Sequence, residues 1–320
     1  MTAHEPRTLQ EAIVHFSNQD NCVAYMVARR WPDGVVSCPT CGRTDVSYVA
    51  KRRVWQCKTR HAKCQFSVKV GTIMEDSPIG LDKWLMTMWL IANCKNGVSS
   101  YEIARAINVT QKSTWFMLHR IREAMKEYSA PLSGVIEMDE TFVGGKVKNM
   151  HKSKVPQGTG FSGRPVGAMA KTIVVGMIER SGRRVKAQVI KERTQEVLSP
   201  IASDNIAHGS IVVTDEWGGY NDIKFAHEVV NHAETYVRGN VHTNGIENFW
   251  SLLKRGLGGT YISVEPYHLI RYIDEQAFRY NNRVMVTDAQ RMSRVMDNVP
   301  GRRLTYAQLT GKPGATPRPF

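Results

Sequence analysis

The sequence predicts a mixed α/β core, a sheet flanked by helices, that follows a small cysteine-rich β module and a helical region. Three observations support this fold class. From residue 134 onward, short apolar runs typical of strands alternate with helical patterns. Four of the six cysteines fall between residues 38 and 64, among short extended segments. Residues 78–130 have strong helical periodicity, which predicts a separate helical region.

These patterns divide the 320 residues into five predicted segments. A chain of this length exceeds a usual single domain, so several units are expected. The last segment ends in a Gly- and Pro-rich stretch, which we expect to be partly disordered. The segments are a helical lead-in (1–34), the cysteine-rich module (35–75), the helical region (78–130), the α/β core (134–285) and a C-terminal extension (286–320).

The charge balance favours a polyanionic partner. Lys and Arg number 43 against 29 acidic residues, which gives a formal net charge of +14. The longest apolar run, from Trp84 to Cys94, is too short to span a bilayer, so no membrane span is predicted. The amino terminus has no secretory or transit pattern, and we therefore expect a cytoplasmic protein.

The cysteines predict a structural zinc site. Cys38 and Cys41 in CPTCG form a knuckle, in which two thiolates two residues apart on a tight turn bind one tetrahedral ion. A second pair is expected about 15 to 20 residues later, and Cys57 lies there. The fourth ligand is either His61 or Cys64, and we predict His61. Four protein ligands leave no open position for chemistry, so this Zn²⁺ would be structural.

The end of the helical region predicts a helix-turn-helix. Two helices, near 100–107 and 112–128, are joined by a tight turn at 108–110, and the second is basic and aromatic in WFMLHRIR. An ordinary helical hairpin is the alternative, because many bundles contain such pairs.

Three acidic residues occupy positions where phosphoryl-transfer chemistry would need them. Asp139 ends the apolar run VIEMD, Asp215 ends IVVTD, and Glu247 opens the predicted helix NGIENFWSLLKR. Either aspartate alone could be a cap or a turn residue. Together the three carboxylates would repel one another unless cations lay between them. They therefore predict a site for two divalent cations, Mg²⁺ or Mn²⁺, that act on a phosphodiester.

Six segments resemble a known family, the prokaryotic insertion-sequence transposases of the ISXO type, over residues 38–282. Members of this family place a zinc ribbon before a ribonuclease-H-like DDE catalytic domain. The resemblance implies that Asp139, Asp215 and Glu247 are the catalytic, metal-holding acids. Lys254 lies seven residues after Glu247 on the same helical face, where the family has a basic residue that holds DNA near the metals. The segments are CPTCG, QFSVKVGTIMEDSPIGLDKW, WFMLHRIR, MDETFVGGK, VVTDEW and HTNGIENFWSLLKRG.

The resemblance implies a bacterial transposase that cleaves DNA and joins strands. Its partners would be double-stranded DNA, both the terminal inverted repeats and the target, and a homo-oligomer is expected when two ends are brought together. In these terms residues 35–75 are the zinc ribbon, 78–130 the helix-turn-helix DNA-binding region and 134–285 the DDE domain. The protein would be cytoplasmic and associated with the nucleoid when bound to DNA.

Two other hypotheses are a catalytically inactive DNA-binding regulator and a ribonuclease-H-like nuclease without strand transfer. The intact set of three acids and Lys254 favours the enzyme over the regulator.

Weaker expectations concern the neighbours of the acids. Thr243 or Asn244 is expected to cap the helix that carries Glu247. Trp250 is expected to be a core residue rather than a base-stacking one. Glu140 follows Asp139 directly, and adjacent strand residues point to opposite faces, so it is not expected to be a ligand.

Overall fold

The computed structural model describes residues 5–127, 130–145, 171–215, 224–230 and 243–311. The chain forms two compact units, one made of residues 1–126 and 282–320 and the other of residues 127–281. Residues 282–311 therefore belong with the amino-terminal residues. The finer division into five segments stays a prediction.

The described residues form ten α-helices and eight strands. The helices are α1 (Leu9–Phe16), α2 (Gln19–Arg30), α3 (Leu81–Asn93), α4 (Ser100–Ile107), α5 (Gln111–Met125), α6 (Gln195–Asn205), α7 (Asn244–Gly256), α8 (Leu269–Asn281), α9 (Asp288–Asp297) and α10 (Tyr306–Thr310). The strands are β1 (Val46–Val49), β2 (Val54–Cys57), β3 (Gln65–Phe66), β4 (Val135–Val143), β5 (Thr172–Glu179), β6 (Val185–Ile190), β7 (Ile211–Asp215) and β8 (Ala226–Val230).

The amino-terminal lead-in is two helices rather than one. Thr8 caps α1 by accepting a hydrogen bond from the amide of Glu11, as its sequence position predicts. Asn18 then begins a second helix, because its side chain accepts from the amides of Asp20 and Asn21. An Asn at this position competes with continuation of the first helix and favours a new start.

The cysteine-rich module is a three-stranded antiparallel sheet in the order β1-β2-β3. Trp55 on the central strand is buried, and its ring lies 4.7 Å from that of Tyr48 and 6.0 Å from that of Phe66, measured between centroids. These cross-strand aromatic contacts give a very small sheet an apolar centre of its own.

Helices α4 and α5 are joined by the short turn that the sequence predicts. A capping box between Ser99 and Glu102 begins α4, and Asn108 ends it in the left-handed conformation, with φ of 50°. Thr110 then caps α5 by accepting from the amide of Ser113. The helix-turn-helix connection is thus built from local side-chain hydrogen bonds.

Two of the basic side chains of α5 are buried and are not accessible to a partner. Arg120 and Arg122 are 5% and 1% exposed, and Arg120 donates to the carbonyls of Leu304 and Glu75, at 2.9 Å each. The C-terminal half of α5 is therefore an internal helix. Lys112, near its amino terminus, is exposed.

The second unit is a five-stranded mixed sheet in the order β6-β5-β4-β7-β8. Strands β4, β5 and β6 pair antiparallel, whereas β7 and β8 run parallel to β4. The predicted fold class, a mixed α/β sheet flanked by helices, is confirmed. Strand β4 lies at the centre and pairs on both edges.

The two faces of this sheet are covered by different helices. Residues Ile136 and Met138 of β4 pack with Leu198 and Ala202 of α6. The alternate residues of β5, including Val174 and the positions in register with Glu137 and Asp139, face α7 and α8. Since strand side chains alternate between faces, Glu137 and Asp139 lie on the α7 side. In the described part of the chain, no helix is both long and apolar enough to cross a membrane.

Candidate active site and zinc centre

Asp139 lies in the middle of β4, not at its end. The strand continues to Val143, because residues 140–143 pair with residues 172–175 of β5. Asp139 thus ends the apolar run VIEMD but does not end the strand. Its cross-strand partner is Gly176.

Asp215 is the last residue of β7 and lies beside Asp139. The parallel register pairs Glu137 with Val213, so two residues further along the strands the two aspartates come level on the same face. Burial is the main cause that raises the pKa of Asp139, and the negative charge of Asp215 adds to it; together they bring the pKa from 3.8 to about 6.

Trp250 of α7 hydrogen-bonds Asp139. Its indole Nε1 donates to Oδ2 of Asp139 at 2.9 Å, and the side chain is 4% exposed. Trp250 is a core residue, as expected, but the sequence did not reveal this contact. Its hydrogen bond lowers the pKa of Asp139 and so partly offsets the effect of burial.

Glu247 lies in the first turn of α7 and is exposed. Its Oε1 accepts a hydrogen bond from Oγ1 of Thr243 at 3.0 Å. Of the two residues expected to cap α7, Thr243 occupies the N-cap position, but its side chain makes no capping hydrogen bond. The amide of Ile246 is instead bonded by Oε2 of Glu137, at 3.0 Å.

Lys254 lies two turns after Glu247 on α7 and is exposed. Within the described ranges it has no ion-pair partner. The structure thus leaves its ammonium group accessible to a solvent-borne anion.

Arg193 is a cation at this site that the sequence did not single out. Its Nε lies 2.7 Å from Oε2 of Glu140, and its Nη2 lies 3.5 Å from Oδ2 of Asp215. Glu140 is buried on the sheet face opposite Asp139, as the alternation of strand side chains predicts, and its carboxylate pairs with Arg193. Arg193 comes from the loop between β6 and α6, so only the folded chain brings it here.

The structure brings Asp139 and Asp215 together and attaches to them, through Trp250, the helix that carries Glu247. Glu216, Trp217 and His242 lie outside the described residues. The donors fit divalent cations, because burial and mutual repulsion disfavour two ionised aspartates unless positive charge lies near them. Arg193 supplies such charge, with its guanidinium 3.5 Å from Oδ2 of Asp215, and it also lowers the pKa of Asp139, but burial outweighs that effect.

The zinc-binding residues predicted from the sequence converge in the first unit. One ligand atom each from Cys38, Cys41, Cys57 and His61 lies within 4.8 Å of all the others. The Sγ atoms of Cys41 and Cys57 are 3.6 Å apart, and Sγ of Cys38 is 3.5 Å from Nε2 of His61. Tetrahedral zinc with Zn–S near 2.3 Å and Zn–N near 2.0 Å requires separations of roughly 3.5 to 3.8 Å.

Local backbone bonds hold this cluster in place. The amide of Gly42, at φ of 74°, donates to the carbonyl of Cys38 at 2.8 Å and closes the knuckle turn. Nδ1 of His61 lies 2.7 Å from the carbonyl of Ala62, which turns Nε2 toward the thiols. Cys64 is outside the cluster, and its carbonyl accepts from the amide of Cys57.

Comparison with known proteins agrees with these two centres. Residues 131–281 match the model of the ISXO2-like transposase domain, and residues 17–65 match that of the transposase zinc-ribbon domain. The chain is 27% identical over 238 residues to an uncharacterized protein in transposable element ISH50 of Halobacterium salinarum. The aligned region covers 71% of this chain and 79% of that protein.

Among solved structures, the chain is similar to one in the cryoEM structure of the simian T-cell lymphotropic virus intasome in complex with PP2A regulatory subunit B56 gamma. The TM-score is 0.29 at 14% identity, over 69% of this chain and 74% of that one. The two domain matches together span more than half of the residues. The chain therefore carries an ISXO2-like transposase domain, and a transposase zinc-ribbon domain precedes it.

The zinc cluster predicts which substitution removes the metal. The purified protein should carry about one zinc ion per chain, and His61→Ala should lose it because the fourth ligand is gone. Elemental analysis of the purified variants measures the zinc content.

The matched control is Cys64→Ala, which removes a possible ligand seven residues after Cys57 that lies outside the cluster. This variant should keep its zinc. Loss of zinc from Cys64→Ala together with retention by His61→Ala would contradict the assignment.

The raised pKa of Asp139 predicts that the acid destabilises the metal-free fold. A carboxyl whose pKa rises from 3.8 to about 6 on folding binds its proton more tightly in the folded state. Stability is then lost as the pH rises from about 4 to 6, by roughly 3 kcal/mol in all. Asp139→Asn should therefore be more stable than wild type at pH 7 without added Mg²⁺ or Mn²⁺, and the difference should shrink toward pH 4.

Urea unfolding of both proteins across this pH range measures the difference. An Asp139→Asn variant that is no more stable than wild type at pH 7 would show that the carboxylate is already neutralised by the protein.

Proposed function

We propose that this protein is the transposase of an insertion sequence, which binds the ends of its element and cleaves and joins DNA with two divalent cations. The observation that carries the proposal is the position of Asp139 and Asp215. They lie level on adjacent parallel strands, and Trp250 joins Asp139 to the helix that carries Glu247. The family match supports the reaction class.

The acids Asp139, Asp215 and Glu247 would hold two Mg²⁺ or Mn²⁺ ions. When bound, such ions activate the attacking oxygen and stabilise the leaving oxygen of an in-line phosphoryl displacement. The protein itself fixes the positions of the three carboxylates. The sheet fixes both aspartates, and the hydroxyl of Thr243 orients Glu247.

The proposed reaction has two balanced steps. In the first, a water oxygen bonds to phosphorus at the element end while the P–O3′ bond breaks, which leaves a 3′-hydroxyl and a 5′-phosphate. In the second, that 3′-hydroxyl oxygen attacks a phosphorus of target DNA, and the target's own P–O3′ bond breaks. The number of phosphodiester bonds is unchanged in the second step, so it needs no external energy source.

Lys254 is proposed to contact the DNA backbone beside the acids. It lies on the face of α7 that carries Glu247, is exposed, and has no ion-pair partner within the described ranges. A lysine ammonium on a phosphate contributes affinity but little sequence preference. The net charge of +14 supports further backbone contacts.

Sequence recognition is proposed for the first unit. Lys112 is exposed in the first turn of α5, at the amino-terminal end from which a recognition helix contacts base edges. The structural zinc, proposed on Cys38, Cys41, Cys57 and His61, would stabilise the ribbon of the same unit. We further propose a homo-oligomer that joins two element ends, acting in the cytoplasm on chromosomal DNA.

The direct test uses the purified protein, DNA that carries the ends of its element, a target plasmid and Mg²⁺ or Mn²⁺. Wild type should nick at the element end and join the freed 3′ end to the plasmid. Asp139→Asn should lose both activities by at least about a hundredfold, because a metal ligand is lost, and should still bind end DNA. Sequencing gels map the nicks, and mobility shift measures binding.

The matched control is Asp204→Asn, the same change at an exposed aspartate of the same unit. It should cleave as wild type does. Full cleavage by Asp139→Asn would overturn the proposal, and nicking without any joined product would reduce it to a nuclease.

A further inference from the structure

Helix α7 is attached to strand β4 at two points by hydrogen bonds from two different residues of the helix. At the first, Oε2 of Glu137 accepts from the amide of Ile246 at 3.0 Å. At the second, Nε1 of Trp250 donates to Oδ2 of Asp139 at 2.9 Å. We propose that Glu137 and Trp250 are positioning residues, which fix the register of α7 on β4 and so set Glu247 relative to Asp139. This inference rests on the proposed function.

The spacings of the two attachments match. Ile246 and Trp250 are four residues apart on a helix, a rise of about 6 Å. Glu137 and Asp139 are two residues apart on one strand face, about 6.8 Å. A helix that runs along the strand can therefore make both contacts at once. A slip of α7 by one residue would break both.

Glu137 takes the place of an N-capping side chain for α7. The amide of Ile246, the third residue of α7, has no acceptor within the helix, and the side chain of Thr243 does not accept from it. Glu137 is 1% exposed and is held on its other oxygen by Nε of Arg180, at 2.8 Å. Thr243 is thereby free to donate to Glu247.

Two glycines make room for these contacts. A Cβ on Gly245 would lie 2.8 Å from Oε2 of Glu137. A Cβ on Gly176, the cross-strand partner of Asp139, would lie 2.5 Å from Cη2 of Trp250. Both separations are shorter than a side chain tolerates, so each attachment depends on the absence of a side chain opposite it.

The test measures Mn²⁺ affinity of the full-length protein by calorimetry, with cleavage of end DNA as a second readout. Trp250→Phe keeps an aromatic ring but removes the N–H donor. It should weaken Mn²⁺ binding by about tenfold or more, as loss of a hydrogen bond to a metal-holding carboxylate does. Cleavage of end DNA should then require a correspondingly higher Mn²⁺ concentration, because the fault lies in assembly of the metal site.

The matched control is Trp84→Phe, the same change at a buried tryptophan whose Nε1 donates to Oγ of Ser77 at 3.1 Å. Trp84 lies in the other unit, so its loss should leave Mn²⁺ affinity unchanged. If Trp250 had only a structural role, Trp250→Phe would lower the fraction of folded, active protein but would leave the Mn²⁺ affinity of the active molecules unchanged. That result would overturn the inference.

Glu137→Gln gives a second, independent variant. The amide keeps an acceptor for Ile246 but loses the charge that Arg180 neutralises. Weaker Mn²⁺ binding in this variant supports the inference, and wild-type affinity in both variants overturns it. If wild type shows no Mn²⁺ binding that depends on Asp139, measured by comparison with Asp139→Asn, the proposed function fails and this inference fails with it. Asp139-dependent Mn²⁺ binding that neither variant alters refutes the positioning role alone.

Discussion

The central strand β4 carries two carboxylates, Glu137 and Asp139, on the face that α7 covers, and the second unit is organised around their burial. A buried carboxylate needs hydrogen-bond donors or a cation. Glu137 receives both, from Ile246 and Arg180, whereas Asp139 receives the indole of Trp250 and keeps a pKa of about 6. One acid is therefore satisfied by the protein, and the other is left in need of positive charge. This difference separates the structural acid from the proposed ligand.

Much of the candidate site could be predicted from the sequence, because its residues stand where strands end or helices begin. Asp215 closes β7 and Glu247 opens α7, as the apolar patterns indicated. Asp139, in contrast, lies inside its strand, since pairing with β5 extends β4 through Glu140 and Thr141 to Val143. The capping of α7 could not be predicted, because its acceptor, Glu137, lies 109 residues before Ile246. A lone Glu in the apolar run VIEMD was the one available signal.

In the first unit, too, features set by local sequence could be predicted, whereas features set by residues distant in the chain could not. Spacing predicted three residues of the zinc cluster and left His61 or Cys64 as the fourth, because a knuckle is a local turn. The structure brings His61, not Cys64, to the other three. The burial of Arg120 and Arg122 in α5 could not be predicted, since residues far along the chain, such as Leu304, pack over them. Arg193 is a similar case in the second unit, because only the fold brings its loop to Glu140 and Asp215. Charge in a sequence pattern therefore did not identify which cations are accessible.

We infer that Asp139, Asp215 and Glu247 together hold two divalent cations. The anomalous scattering of manganese, in crystals of the protein grown with Mn²⁺ and end DNA, would locate these ions. Two manganese peaks are expected, about 3.5 to 4 Å apart, within ligand distance of all three carboxylates. A map at saturating Mn²⁺ with no manganese at Asp139 and Asp215, or with Glu247 turned away from the ions, would contradict this inference.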